Sequence, residues 1–181
     1  MLASRSPQRR AILDQVGIPY VVDVPDVEEL QTGPPHEVAL ENAFRKASTV
    51  AARVADAPVL GVDTLVSLGA RVYGKPTDED DARAMLTALA GRRHAVVSGV
   101  CLIENGRART AAASTLVEFR ALDETLLDWY LESGEWRERA GAYAIQGRGA
   151  ALVAGIEGDF LNVVGLPLIT LLELAPGLLS R

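Results

Sequence analysis

The dipeptide Asn105-Gly106 stands between two long β-prone runs, His94 to Glu104 and Arg107 to Arg120. Asn-Gly supplies the two left-handed residues of a tight hairpin turn, so this is a strong antiparallel signal. Elsewhere strands and helices alternate. The fold class expected is therefore α/β, two-lobed, with an elongated mixed β-sheet flanked by helices. A chain of 181 residues can bury one sizeable core, split about such a sheet. No repeat, low-complexity tract or linker divides it, so residues 1–181 are read as a single domain. Gln31 to Pro35 reads as its softest loop.

The remaining elements follow from local signals. Met1 to Ala3 reads as the end of a strand. Ser6 and Pro7 open a helix that runs to Val16 and stops at Gly17. Tyr20 to Val24 is a second strand, followed by a loop containing Glu29. From His36 to Ala55 a helical stripe is formed by Leu40, Ala43, Phe44, Ala47, Val50, Ala51 and Val54, with Lys46 beside it. Thr77 or Asp78 caps a helix burying Ala82, Met85, Leu86 and Leu89. Asp123 to Ser133 is a helix, Ala150 to Glu157 a strand, and Pro167 opens a last apolar helix.

The chemistry is concentrated in Val59 to Asp78, VLGVDTLVSLGARVYGKPTD. Val59 to Val62 reads as a buried strand with Asp63 at its end. A carboxylate so placed is costly to bury unless a cation, a metal or a donor meets it. Lys75 follows between Gly74 and Pro76. Of 18 basic residues only Lys46 and Lys75 are lysines, the other 16 being arginines. Each lysine is thus a candidate for work that needs a compact, mobile charge, such as phosphate neutralisation. The first helix, opening with Ser4, Arg5, Ser6, Arg9 and Arg10, is a candidate phosphate receptor, although exposed arginines in a first turn are usually just solvated.

A net charge of −6 argues against a nucleic-acid surface, so an anionic substrate needs a local cationic patch. The lone Cys101 excludes an internal disulfide and reads as a core thiol. No apolar run approaches ~20 residues, so neither a signal peptide nor a membrane span is expected, and the setting expected is cytoplasmic. His36 and His94 lack ligand partners at metal-site spacing and read as structural or surface residues. Trp129 and Trp136 read as packing around the helix at 123–133.

LASRSPQRRAIL, VDTLV with YGKP, AGRRHAVVSGV, AGAYAIQG and IEGDFLNVVGLPL occur in order from residue 2 to about residue 172. Together they resemble the Maf family of nucleoside triphosphate pyrophosphatases. The resemblance implies a fold like that of inosine triphosphate pyrophosphatase, with the active site in a cleft between two lobes. It implies hydrolysis of a nucleoside triphosphate to the monophosphate and pyrophosphate with a divalent metal, Mg²⁺ or alternatively Mn²⁺. Carried over by position, Asp63 matches the general base and Thr64 its substrate-selecting neighbour. Arg9 matches the second residue of a basic pair. Gln8 departs from the first, so a phosphate held at that position is either not held in this chain or is held by Arg10. Glu29 matches an active-site acid, Lys46 and Lys75 two lysines, and Gln146 a base-reading residue. Ser98 replaces a common Thr.

On this reading Lys46, Lys75, Arg9 and Ser4 receive the phosphates, and Glu29 and Asp63 share the metal. Asp63 is base, ligand or both. The amide of Gln146 offers one donor arm and one acceptor arm, matching N3–H and a neighbouring carbonyl of uracil or thymine, although adenine also fits an amide. Relatives acting on 7-methyl-GTP carry an acid there, so Ile-Gln-Gly points to the dTTP and UTP branch. The resemblance also implies a homodimer. It leaves two other readings: a non-catalytic nucleotide-binding regulator of septum formation, and an inosine or xanthosine triphosphate pyrophosphatase.

Overall fold

The computed structural model describes residues 1–54 and 56–180. The hairpin is its spine. Strand β3 (Arg93–Glu104) and strand β4 (Arg107–Phe119) pair along their whole length about Asn105 and Gly106, whose φ angles of 51° and 72° are those the turn demands. Strand β1 (Val59–Leu68) adds to the other side of β3, from Val59 opposite Ile103 to Ser67 opposite Ala95. Two short strands, β2 (Arg71–Tyr73) and β5 (Val153–Glu157), complete the order β2-β1-β3-β4-β5. All these ladders are antiparallel. The parallel part of the mixed sheet is confined to single bridges from Leu2 to Val22 and to Leu60, where longer strands were expected.

Side chains alternate along β1 and divide its two faces. Val59, Gly61, Asp63 and Leu65 face helix α2 (Pro35–Ala51), which lies along that side. Gly61 and Gly99 make this packing possible: a Cβ at Gly61 would sit 2.8 Å from the Ala47 nitrogen, and one at Gly99 2.6 Å from the Leu40 nitrogen. On the opposite face, Leu60, Val62, Val100 and Leu102 pack with Ile12 and Leu13 of helix α1 (Pro7–Gln15) and Leu171 of helix α6 (Leu168–Leu174). Val66, Val96, Val117 and Phe119 pack with Leu86 of helix α3 (Glu79–Leu89) and Tyr130 of helix α4 (Glu124–Leu131). These are two separate apolar clusters on one face of the sheet. Between them on that face lies a polar pair, Thr64 Oγ1 and Ser98 Oγ, 2.9 Å apart.

Several local signals are realised as read: Ser6 caps α1 through its side chain, Asp78 rather than Thr77 caps α3, and Gly17 follows α1 at φ 71°. Asp123, read as the first residue of its helix, is the cap of α4. Cys101 is fully buried, and that burial pushes its thiol up to about 11. Others are corrected. Asp63 does not end a strand but sits midway along β1. Lys46 lies within the buried face of α2, with Val38, Ala39, Asn42, Ala43, Ala47 and Val50, while Phe44 is exposed. The end at Ala55 read for this helix falls outside the described residues. The segment from Gly147 to Leu152 is a 3₁₀ turn, so the strand read from Ala150 begins at Val153. A short helix α5 (Phe160–Val164), capped by Asp159, was not read. Trp136 is buried, and Trp129 is 39% exposed.

Candidate active site

The outer edge of β1 is interrupted. Leu60 is hydrogen-bonded to the chain at Met1 and Ala3, and β2 pairs only with residues from Val66 on. Between these, residues 61–65 have no strand partner on that side among the described residues. A cavity of about 1110 Å³ opens at this gap. The gap explains how adjacent residues on opposite faces, Asp63 and Thr64, both reach one cavity. Ser4, Arg9, Glu29, Lys46, Lys75 and Gln146 line it too, whereas Arg10 and Ser98, also singled out from the sequence, do not.

On the α2 side, Lys46 Nζ lies 2.6 Å from Asp63 Oδ1 and 2.7 Å from Glu29 Oε1. Asn42, one turn before Lys46, donates from Nδ2 to Asp63 Oδ2 at 3.0 Å and to the Leu30 carbonyl at 3.1 Å. Its Oδ1 accepts the Leu30 N–H at 2.8 Å. The buried Asp63 carboxylate therefore has one donor on each oxygen, which meets the cost of removing it from water. Asn42 also pins the loop that carries Glu29.

On the other face, Arg9 is buried rather than solvated. Its Nε donates to the Gly165 carbonyl at 2.9 Å, Nη1 to Ser4 Oγ at 2.9 Å and Nη2 to Thr64 Oγ1 at 3.2 Å. Burial pulls its pKa below the ordinary range, against the pull of Asp63 and Glu29. Gln8 and Arg5 are on the cavity wall and Arg10 is not. Lys75 stands apart from the acids. It is half exposed and bonds Glu138 Oε2 at 2.7 Å, an interaction that holds the Glu138 carboxyl below its usual value.

Sequence reasoning missed Asn42, Arg137 and Arg139. Asn42 and Lys46 share i,i+4 spacing on one helix face, a signal hidden by counting only apolar residues. Arg139 lines the cavity with a buried Nε that lacks a hydrogen-bond partner among the described residues, as suits a wall that receives an anion. Six of the 18 basic side chains (Arg5, Arg9, Lys46, Lys75, Arg137 and Arg139) line this one cavity in an acidic protein. Five acidic side chains (Asp26, Glu29, Asp63, Glu135 and Glu138) share the wall, so its cations outnumber its acids by only one. The positive charge an anionic substrate needs comes from the arginines, while Lys46 and Lys75 are already paired with acids.

Glu29 and Asp63 suit a hard divalent ion, which binds through one or two carboxylates together with substrate phosphates. Among the described residues no group of three or more His, Cys, Asp or Glu side chains could hold a metal unaided. The donor set fits an ion shared with a polyphosphate rather than a closed protein cage. Among the described residues, no helix is long and apolar enough to cross a membrane.

Comparison with known proteins gives a family match and close relatives. The family described as Maf-like protein matches residues 1–177. A protein of Symbiobacterium thermophilum named dTTP/UTP pyrophosphatase is 48% identical over 170 residues, 93% of this chain and 88% of the relative. Proteins with the same name from Myxococcus xanthus and Pyrococcus furiosus are 47% and 42% identical. They cover 97% and 96% of this chain, and 91% and 92% of their own lengths.

Proposed function

The chain belongs to the Maf family, and on that premise we propose that it hydrolyses dTTP and UTP to the monophosphate and pyrophosphate. The observation that carries the reading is the convergence of Asp63, Glu29 and Lys46 with Arg9, Thr64, Lys75 and Gln146 on a single cavity of about 1110 Å³. Relatives named for that activity support the choice of substrate.

In this mechanism Lys75, Arg9 and Arg139 line the path of the phosphates and offset their charge, so that the triphosphate lies extended between the lobes. Asp63, steadied by Asn42, accepts the proton of the attacking water. The water oxygen bonds to the α-phosphorus, the α–β bridging bond breaks, and pyrophosphate leaves with that bridging oxygen. Glu29 and Asp63 would hold a divalent cation, Mg²⁺ in the first instance, which when bound polarises phosphate oxygens and makes water a better nucleophile. Thr64, tied to Arg9 and Ser98, fixes the wall opposite the acids. Gln146 reads the pyrimidine edge with one donor and one acceptor. The whole chain acts as one unit about the cleft. Buried Cys101 suits a reducing cytoplasm, and the family resemblance implies a dimer.

The test is a panel of dTTP, UTP, CTP, GTP, ATP, ITP and XTP with Mg²⁺, read as released pyrophosphate. dTTP and UTP should give the highest kcat/KM. Leading rates with ITP or XTP would move the protein to the inosine/xanthosine class. Tight nucleotide binding with no pyrophosphate from any substrate would leave only a binding role.

A further inference from the structure

Gln146 reaches the cavity from an exposed position, and among the described residues its side-chain amide has no hydrogen-bond partner. Its backbone, by contrast, is held on both sides. Two residues earlier, the Ala144 N–H donates to the Tyr130 hydroxyl at 3.1 Å. Just after it, the N–H groups of Arg148 and Gly149 donate to Glu135 Oε1 and Oε2 at 3.0 and 3.1 Å. Both anchors belong to one unit. Tyr130 is fully buried in the last turn of α4, and the Glu135 N–H donates at 3.0 Å to Ser133 Oγ, which itself donates to the Tyr130 carbonyl. The bend between the anchors is tight: Gly147 takes φ 67°, and a Cβ there would come within 2.5 Å of Glu135 Oε1.

We propose that Glu135 and Tyr130 are positioning residues that give Gln146 its base selectivity, a claim that rests on Gln146 reading the pyrimidine as set out above. A primary amide is ambiguous as a reader. In one orientation it meets N3–H and O4 of uracil; turned over, it meets N3 and the amino group of cytosine. Selectivity therefore depends on holding the amide at one distance and in one plane. A carboxylate can accept two backbone N–H groups at once, and this one fixes the turn directly after Gln146. Burial pushes the Tyr130 hydroxyl up to about 12, so the second anchor stays neutral across any working pH.

The experiment compares kcat/KM for UTP and CTP in the wild type, Glu135→Gln and Tyr130→Phe. In Glu135→Gln the amide accepts only one of the two N–H groups and turns its own NH₂ toward the other. Tyr130→Phe keeps the ring packed and removes only the hydroxyl, so it carries the test if Glu135→Gln does not fold. The UTP:CTP ratio should fall about tenfold in each variant, chiefly through UTP, as expected for an unpaired contact at a reading site. A ratio that stays at the wild-type value while both substrates slow together is plain structural damage and overturns the proposal. If the wild type itself fails to prefer UTP, the reading role of Gln146 is wrong and the proposal falls with it. If the wild type prefers UTP and both variants keep that preference, the clamp alone is refuted.

Discussion

Gly99→Ala tests how the scaffold holds the site. Gly99 lies directly opposite Asp63 in the β1–β3 ladder and beneath α2. An added Cβ would sit 2.6 Å from the Leu40 nitrogen and closer still to the Ala39 carbonyl, where ordinary contact begins at 3.4 Å. The obstacle is helix backbone, so no rotamer change relieves it. α2 has to lift by about 1.2 Å, the difference between 3.4 Å and the 2.2 Å to the Ala39 oxygen. Overpacking of this kind costs about 2–3 kcal/mol, which for a domain of this size lowers Tm by roughly 5–10 °C. The lift also carries Asn42 and Lys46 away from Asp63. Misplacement on the order of 1 Å costs about 100-fold in rate, so turnover should fall much further than the loss of stability explains. Differential scanning calorimetry and steady-state release of pyrophosphate read both effects. Gly155→Ala is the control, because a Cβ there meets nothing within 4 Å. Wild-type Tm in Gly99→Ala would refute the packing argument. A lowered Tm with unchanged kcat/KM would refute the link between helix height and chemistry.

Three further outcomes are expected. Lys46→Met leaves buried Asp63 without its cation and should cost about 3 kcal/mol in urea unfolding; adding Asp63→Asn should recover most of that stability and none of the turnover. Lys75→Ala removes an exposed ion pair worth less than about 1 kcal/mol, so Tm should hold while pyrophosphate release collapses. His94 is buried against Phe119 and Tyr143, and burial lowers its pKa from 6.5 to about 4. The folded state thus resists protonation that the unfolded chain accepts. The stability this gives is complete above about pH 6.5, fades as pH falls toward 4, and reaches about 3 kcal/mol in total. His94→Leu should flatten the dependence between pH 7 and 4.5 relative to wild type, and parallel curves would contradict it.

What the sequence made legible was chiefly local. Asn105-Gly106 announced the hairpin, capping side chains at Ser6 and at Thr77 or Asp78 marked two helix starts, and a scarcity of lysine drew attention to the two on the cavity wall. What it hid depended on the third dimension. Asp63 looked like a strand terminus because a carboxylate inside a doubly covered strand has no evident partner. The partners come from α2 and from a gap in edge pairing, neither of which is written near Asp63. Lys46 looked peripheral because the stripe was drawn from apolar residues alone, whereas the buried face of α2 contains Asn42 and Lys46 at the level of the acids. Arg9 resembled a solvated surface arginine until Gly165, more than 150 residues away, supplied its acceptor.

The opposed facing of Asp63 and Thr64 makes the chain intolerant of length changes in one place. Inserting or deleting a single residue between Val59 and Asp63 would slide β1 along β3 and exchange its two faces. The hydroxyl would then meet Lys46 and Asn42, and the carboxylate would meet Arg9 and Ser98, reversing the polarity of both walls. The tip at residues 105 and 106 carries no such burden, so tolerated indels should gather there while the segment leading to Asp63 keeps its count.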